Sequence, residues 1–548
     1  MPVTHEYDVV VVGSGAAAFA TALGAIDEGL SVLLVESTDK WGGNSAMSGG
    51  GMWLPTNQLM ARDGVSDSRE EALAYLDATV GDVGRASDRA RKEAFVDGVA
   101  DFVATAQKHG MNLVRSADYA DYYPELTGGK IGRALEVSPF DLKRIGAWWD
   151  TCQAPAAMPI KTDDVWLLGR AWSTPAGFRR GASLVARTLG GVVRGQKLAG
   201  LGAGLMSSLL EIVVLKGRGE VWLNSPLQEL VVEGDRVVGV QIERAGQPTT
   251  VRARLGVMLA GGGFDANKEL RRAHHGVDGH PSGAPGNLGG PIQAAVSVGA
   301  ATELMDDAWW GVSVAPTSES GPGFLVGERS FPYSIIVDAQ GRRMANESES
   351  YVDFGHHMLA HDKVGPYWLI SDHRHTMRYL RSYALDPKVV KAMKAQGVMF
   401  KADSIEALAS RINIEPAVLR STVDRFNGFA RAGVDADFGR GNSAYDRYYS
   451  DPLVRPNPNL GPLEKAPFTA IHLVLGDLGT KGGVVTDAHG RALRADGSVI
   501  PGLYSAGNNS ASVMGRTYPG PGSTLGPAVV FGLRAARHMA SRTTGAAS

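Results

Sequence analysis

The stretch from Tyr7 to Glu36 constrains this chain more than any other. Tyr7 to Val12 is a nearly unbroken run of strand formers, the pattern of a strand buried on both faces. It ends in Gly13-Ser14-Gly15-Ala16-Ala17-Ala18, which matches G-x-G-x-x-G/A. A helix of small residues follows as far as Gly29, and a second buried strand, Ser31 to Val35, closes on Glu36. Strand, glycines, helix, strand and acid in register form a complete βαβ unit for a dinucleotide. In that unit Gly13 makes the tight turn and Gly15 lets backbone N–H groups reach a pyrophosphate at the helix N-terminus. Ala18 permits close helix packing, and Glu36 holds the ribose hydroxyls. The uncharged run Val9 to Ile26 is about as long as a short membrane span. However, Gly13, Ser14 and Gly15 interrupt it, Asp8 and Asp27 flank it, and no basic segment precedes it as a signal peptide requires.

The next residues separate a flavin from a nicotinamide. Trp41 to Ser48 and then Gly49-Gly50-Gly51 form a glycine and serine segment directly after the ribose acid, where a simple dehydrogenase would continue its sheet. A longer cofactor, FAD, needs that additional cradle. Leu227 to Val232 and Val237 to Ile242 alternate around Glu233-Gly234-Asp235 and read as a hairpin. Strand Val257 to Ala260 runs into Gly261-Gly262-Gly263-Phe264. Strand and turn signals return at Gly482 to Asp487, Arg491 to Ala495 and Leu503 to Asn508, before an apolar helix from about Leu525 to Met539. The two ends share this chemistry, whereas Asp306 to about Leu478 has a mixed helical pattern and more charge. The expected fold is therefore α/β: a discontinuous Rossmann-like FAD-binding domain, 1–307 and 479–548, with an α+β catalytic domain inserted at 308–478.

The composition excludes several classes. A net charge of -2 gives no pull toward nucleic acid. Cys152, the single cysteine, cannot form an internal disulfide or a cysteine-rich metal site, so no metal is expected and a cytoplasmic setting is compatible. The chain has 70 glycines among 548 residues, nearly twice the average usage of ~7%. Between Asp164 and Glu211 there is no acidic residue, yet Arg170, Arg179, Arg180, Arg187, Arg194 and Lys197 lie among Trp166, Trp172, Phe178, Leu184 and Val185. This excursion, about 150–197, suits either peripheral contact with an anionic membrane surface or packing on its own protein.

Six segments together resemble the 3-ketosteroid Δ1-dehydrogenases, within the flavoprotein class that includes fumarate reductase. They are DVVVVGSG from Asp8, GGNSAMSGG from Gly42, AGGGF from Ala260, GDLGTKGG from Gly476, GLYSAGN from Gly502 and RTYPGPG from Arg516. Most of them are shared across the class, whereas the Thr-Lys-Gly-Gly and Tyr-Pro-Gly-Pro-Gly segments are more specific. The resemblance implies that Tyr518 and the Gly522 N–H hold the steroid 3-keto oxygen, that Tyr351 is the proton-abstracting base, and that Tyr122 assists it. The implied cofactor contacts are Gly13, Gly15, Ala16, Ala17, Glu36, Ser37, Gly43, Asn44, Ser45, Ser48, Gly50, Gly51, Val231, Gly261, Gly262, Gly507, Asn508 and Leu525. One departure is at Asn287-Leu288-Gly289-Gly290, where the family commonly has an acid after a glycine.

The chemistry agrees with these residue types. Removing hydrogens from adjacent carbons beside a ketone requires acidifying the α C–H, and two donors on the ketone oxygen stabilise the enolate as an oxyanion hole does. A phenol titrating near ~10 is a poor base unless neighbours stabilise its phenolate, and a hydrogen bond from Tyr122 is the expected means. Hydride then leaves the β carbon for the flavin, and an electron acceptor that the sequence does not identify, a quinone being one candidate, reoxidises it. The alternatives are a Δ4-dehydrogenase of 3-ketosteroids, a fumarate reductase-like enzyme, which needs arginines and a histidine for two carboxylates, and a non-enzymatic flavin or steroid carrier.

Overall fold

The computed structural model describes residues 4–544. The last residues of the 479–548 segment, 545–548, and the first residues of the 1–307 segment, 1–3, lie outside the described residues. The valine-rich strand Thr4–Val12 lies inside an eight-stranded sheet, between the parallel strands Val32–Val35 and Gln247–Leu259. Val9, Val10 and Val11 are wholly buried, because helices cover the strand on one side and the hairpin region packs on the other. Val499–Ser505 adds in parallel beside Gln247–Leu259, so both chain ends build one sheet. The hairpin Leu227–Glu233 and Arg236–Arg244 extends this sheet antiparallel, as its alternation predicts.

The helix Ala16–Asp27 packs along the closing helix Leu525–Thr544. Small residues make this possible: a Cβ on Gly24 would lie 2.7 Å from the Ala536 Cβ. Ala18 is fully buried.

The region 306–478 contains more sheet than its mixed helical pattern suggests. Phe468–Thr480 is the long strand of a seven-stranded sheet, antiparallel to Ala308–Val314, Tyr367–Ser371 and Met399–Ala402. Ala308–Val314, Tyr367–Ser371 and Phe468–Thr480 are buried nearly throughout, so the apolar-polar alternation that marks a half-exposed strand is missing from them. His280–Pro281 joins this sheet in parallel. Thr302–Glu303 pairs with Gly483–Val484 where the chain crosses between the two large sheets.

The acid-free excursion forms the helices Thr162–Leu168 and Pro175–Val193. Some of its arginines are committed inward. Arg180 and Arg187 each reach Asp164 at 2.7 Å, and buried Arg170 donates to the Ser450 carbonyl and lies over Trp166. The apolar stripe faces outward instead: Trp172, Phe178, Val185, Leu189, Val192 and Val193 are all more than half exposed. Among the described residues no helix is long and apolar enough to cross a membrane, and no group of three or more His, Cys, Asp or Glu could hold a metal.

Candidate active site

The cofactor cradle is assembled at the carboxyl ends of the parallel strands, as expected for this type of sheet. Gly13 turns with φ +105, and a Cβ there would lie 2.4 Å from the Ala260 carbonyl oxygen. Only glycine fits that turn. Gly15 is the N-cap of the first helix and gives it no side-chain cap. The N–H of Ala16 is taken by Ser45 Oγ at 3.0 Å, and the same atom, at 3.4 Å, is all that a Cβ on Gly15 would meet. Space and unpaired first-turn donors therefore remain at the helix end, which is what a pyrophosphate requires. Ala17 lies in the same turn, 3.1 Å from where a Cβ on Gly507 would sit.

Glu36 is held for a ribose. Its Oε1 accepts from the hydroxyls of Ser37 and Thr38 and from the Thr38 N–H, while Oε2 accepts only the Ser14 hydroxyl at 2.6 Å. Oε2 thus keeps acceptor capacity for a sugar hydroxyl. The serine and glycine segment folds back over this unit. Ser14 Oγ accepts the Gly42 N–H, and Ser48 bridges the Ser45 carbonyl and the Gly50 N–H. A Cβ on Gly43 would meet nothing within 4 Å, and one on Gly51 nothing nearer than 3.8 Å. Asn44 is tied to the loop 284–287: its Oδ1 accepts the Ala284 N–H at 2.6 Å and the Asn287 amide at 2.9 Å. Gly261 and Gly262 sit against Pro291 and Asn287, and Asn508 Oδ1 accepts the Trp309 indole N–H at 3.2 Å. Leu525, buried, opens the closing helix. These residues fit FAD, a long dinucleotide with a pyrophosphate at its centre. Val231 stands apart from them. Its partner Gly239 pairs with Arg252, which faces Glu6, so Val231 lies at the opposite end of the sheet from Gly13.

Beyond the cradle, tyrosines from distant parts of the chain converge. Tyr351 begins the helix Tyr351–His361 and is wholly surrounded by protein. Its ring centroid lies 5.1 Å from that of Tyr518 and 5.6 Å from that of Tyr122, and the Tyr122 and Tyr518 rings are 5.1 Å apart. Backbone contacts fix the approach. The Tyr122 N–H donates to the Pro519 carbonyl at 2.9 Å, and the Tyr75 hydroxyl donates to the same oxygen at 2.6 Å. Asp121, next to Tyr122, is anchored by buried Arg133 at 2.8 Å and the Trp53 indole at 2.7 Å. Gly522 has φ +90, and a Cβ there would lie 2.1 Å from the Gly51 carbonyl oxygen, so the ketone-binding turn is packed directly on the cofactor segment. Tyr518 and Gly522 bracket the same short loop, four residues apart. The two expected ketone donors are therefore neighbours.

The electrostatics depart from expectation at the base. Burial, then the neighbouring Tyr518, pushes the Tyr351 phenol well above its ordinary value. Burial likewise raises Tyr122 well above the ordinary value, and burial raises Tyr518 as well although the neighbouring Tyr351 phenol favours its phenolate. The ring contact of Tyr122 with Tyr351 is edge-on, and its hydroxyl instead meets that of Tyr119 at 3.4 Å. In place of the expected hydrogen bond from Tyr122 to Tyr351, the two tyrosines pack ring against ring.

Sequence reasoning missed part of this wall. Tyr119 stacks on Tyr448 at 4.3 Å and shares a short hydroxyl contact with Tyr449, and Tyr445 lies 4.2 Å from Tyr122. Phe324 and Trp309 close the sides, against Tyr351 and Tyr518. Tyr445, Tyr448 and Tyr449 were detectable as aromatics at helical spacing facing one side of the short helix Ala444–Tyr448.

A family model for the FAD binding domain matches residues 8–525. A 3-oxosteroid 1-dehydrogenase of Mycolicibacterium smegmatis is 43% identical, over 99% of this chain and 98% of its own. The chain belongs to the 3-oxosteroid 1-dehydrogenase family. The crystal structure of a 3-ketosteroid Δ1-dehydrogenase from Sterolibacterium denitrificans, solved with 1,4-androstadiene-3,17-dione, superposes with a TM-score of 0.91 at 36% identity, over 98% of this chain and all of that one. A 3-ketosteroid Δ4-(5α)-dehydrogenase from Rhodococcus jostii RHA1 superposes with a TM-score of 0.66 at 22% identity, over 98% of this chain and 97% of that one, a likeness of fold alone. Membership in this family makes the chain an FAD-dependent oxidoreductase with the Rossmann-like architecture read from its βαβ unit.

Proposed function

We propose that this protein introduces a C1–C2 double bond into ring A of 3-ketosteroids, with Tyr518, Gly522, Tyr351 and Tyr122 as its working residues. The convergence of Tyr518, on the loop that Gly522 closes, with Tyr351 and Tyr122 carries this reading. The Tyr518 O–H and the Gly522 N–H donate to the 3-keto oxygen and strengthen their bonds as it gains charge. Tyr351 takes the proton from C2, and Tyr122, packed edge-on, holds its ring in place. Bound FAD supplies the acceptor for the hydride that leaves C1. The buried aromatic wall excludes water and complements a flat, apolar steroid ring. The family name favours Δ1 over Δ4 desaturation. Anaerobic incubation with androst-4-ene-3,17-dione, followed by mass and NMR analysis, tests this: the 1,4-diene-3-one is expected. A Δ4 product from a saturated ring A ketone alone, fumarate turnover, or binding without any oxidation would contradict it.

The domain divisions at 307/308 and 478/479 follow most strands of the two large sheets, with His280–Pro281 and the end of Phe468–Thr480 crossing them. We also assign the outward apolar stripe of the excursion to a lipid bilayer surface. Trp172 and Phe178 are amphipathic-interface residues, and Arg179, Arg194 and Lys197 can meet anionic headgroups. Trp166 of the same excursion lies 4.7 Å from Tyr448, which stacks on Tyr119, so a docked bilayer would lie beside the tyrosine wall. Sterols and quinones both partition into bilayers, and a quinone is the electron acceptor this placement favours. Flotation with anionic liposomes is expected, and a protein that floats with neither anionic nor neutral liposomes would leave the stripe without this role.

A further inference from the structure

The segment Gly479 to Gly483 is among the most specific in the sequence, yet it touches neither the ribose acid Glu36 nor the bases and donors of the tyrosine wall directly. Its Lys481 lies where the long strand Phe468–Thr480 leaves the second sheet and crosses to the first. The side chain is wholly buried, and its Nζ lies 3.3 Å from Asp307 Oδ2. The Lys481 backbone N–H also donates to the Asp307 carbonyl at 3.0 Å. Asp307 cannot turn away, because its Oδ1 accepts the Ala308 N–H, the Trp310 indole N–H and His356 Nε2. On its other side the ammonium lies 4.9 Å from the centroid of the Trp309 ring.

Trp309 links this charge to the site. Its indole N–H holds Asn508 of the cofactor cradle, and its ring meets Tyr518 edge-to-face at 5.4 Å. A methionine would fill the same space without the cost of burying an ammonium. A cation on the indole face holds the ring in one orientation, and that orientation sets the wall against which Tyr518 rests. We propose that Lys481 is a positioning residue for Tyr518, acting through Trp309. This rests on the reading of Tyr518 as the ketone donor. A hydrogen bond that strengthens in the transition state is sensitive to the placement of its donor, so loss of the strut slows turnover more than it weakens binding.

A double-mutant cycle tests this. Lys481→Met, Tyr518→Phe and the pair are compared for flavin content, for ketosteroid affinity from perturbation of the flavin spectrum, and for kcat. An Asp307→Asn/Lys481→Met background removes both buried charges and serves where the single variant folds poorly. In the wild-type background kcat is expected to fall about tenfold with little change in affinity, whereas in the Tyr518→Phe background the further fall is expected to be less than about twofold. Losses that multiply overturn the proposal, because Lys481 then acts elsewhere. Loss of flavin from both Lys481 backgrounds overturns it too, by making the pair a support of the fold. A Tyr518→Phe enzyme with undiminished turnover overturns the reading of Tyr518 and the proposal with it, an outcome distinct from a slow Tyr518→Phe enzyme whose loss multiplies with that of Lys481→Met.

Discussion

The cofactor cradle and the tyrosine wall meet at Gly51 and Gly522 but are built on opposite principles. The cradle is made of backbone: Gly13, Gly15 and Gly43 work by lacking a side chain, and its βαβ framework is consecutive in the chain. The wall is made of side chains that lie hundreds of residues apart, held together by packing and by a few backbone bonds such as Tyr122 N–H to Pro519. One region works through the space its glycines leave for a cofactor, whereas the other works through its hydroxyls. Substitutions should therefore fail in different ways in the two regions.

The largest effect is expected in the cradle. Gly13→Val places atoms where the Ala260 carbonyl already sits and forces an unfavourable positive φ. The purified variant should carry no flavin absorbance, and a yellow Gly13→Val protein would remove this turn from the cofactor site. In the wall, shape is kept and chemistry is lost. Tyr518→Phe removes one enolate donor and should lower kcat by roughly two to three orders of magnitude, about 2.7–4 kcal/mol of barrier, with flavin retained. A rise in KM alone would mean that Tyr518 only holds the substrate.

A graded effect, about tenfold for each pH unit, separates the regions by pH. Tyr351 must be deprotonated to accept the C2 proton, yet burial and then Tyr518 keep it protonated well beyond its ordinary range. The competent fraction therefore grows about tenfold per pH unit, so kcat should climb from neutral pH without a plateau below about pH 10, while flavin content stays constant. A plateau near neutrality would give the base role to another group. The same raised values set the upper limit. The stability these buried phenols contribute is complete below their unfolded value near ~10 and is lost as pH rises through the folded values, so thermal stability should fall on the alkaline side.

The smallest effect lies outside both regions. Phe178→Ser with Val185→Ser should abolish liposome flotation while leaving turnover of a dispersed steroid within about twofold, since exposed residues away from a site contribute little to stability. Unchanged flotation would place the membrane contact elsewhere.

The same contrast explains what the sequence disclosed. Gly13, Gly15 and Glu36 were legible because strand, turn and helix are consecutive, and each residue's task follows from its place in that unit. The eight-stranded sheet and its return at Leu503 to Asn508 were legible for the same reason. The second sheet was less so, since strands such as Tyr367–Ser371 are buried on both faces and carry no alternation. Tyr122, Tyr351 and Tyr518 were named only through family resemblance, because nothing local distinguishes a wall tyrosine from a core one. Tyr119 had no local signal at all, because its partners Tyr448 and Tyr449 lie more than three hundred residues away. The inward commitment of Arg180 and Arg187 was equally hidden, since it depends on Asp164 folding back beneath the helix.

The central claim is that Tyr351 removes the C2 proton, and anaerobic rapid mixing of Tyr351→Phe with androst-4-ene-3,17-dione tests it most directly. The substitution keeps the ring and its contacts with Tyr122, Tyr518 and Phe324. Steroid should still perturb the flavin spectrum on binding, but bleaching of the flavin should be slower than in the wild type by roughly two orders of magnitude or more, the usual contribution of a positioned base. Bleaching at the wild-type rate would contradict the account, because the C2 proton would then be leaving by another route.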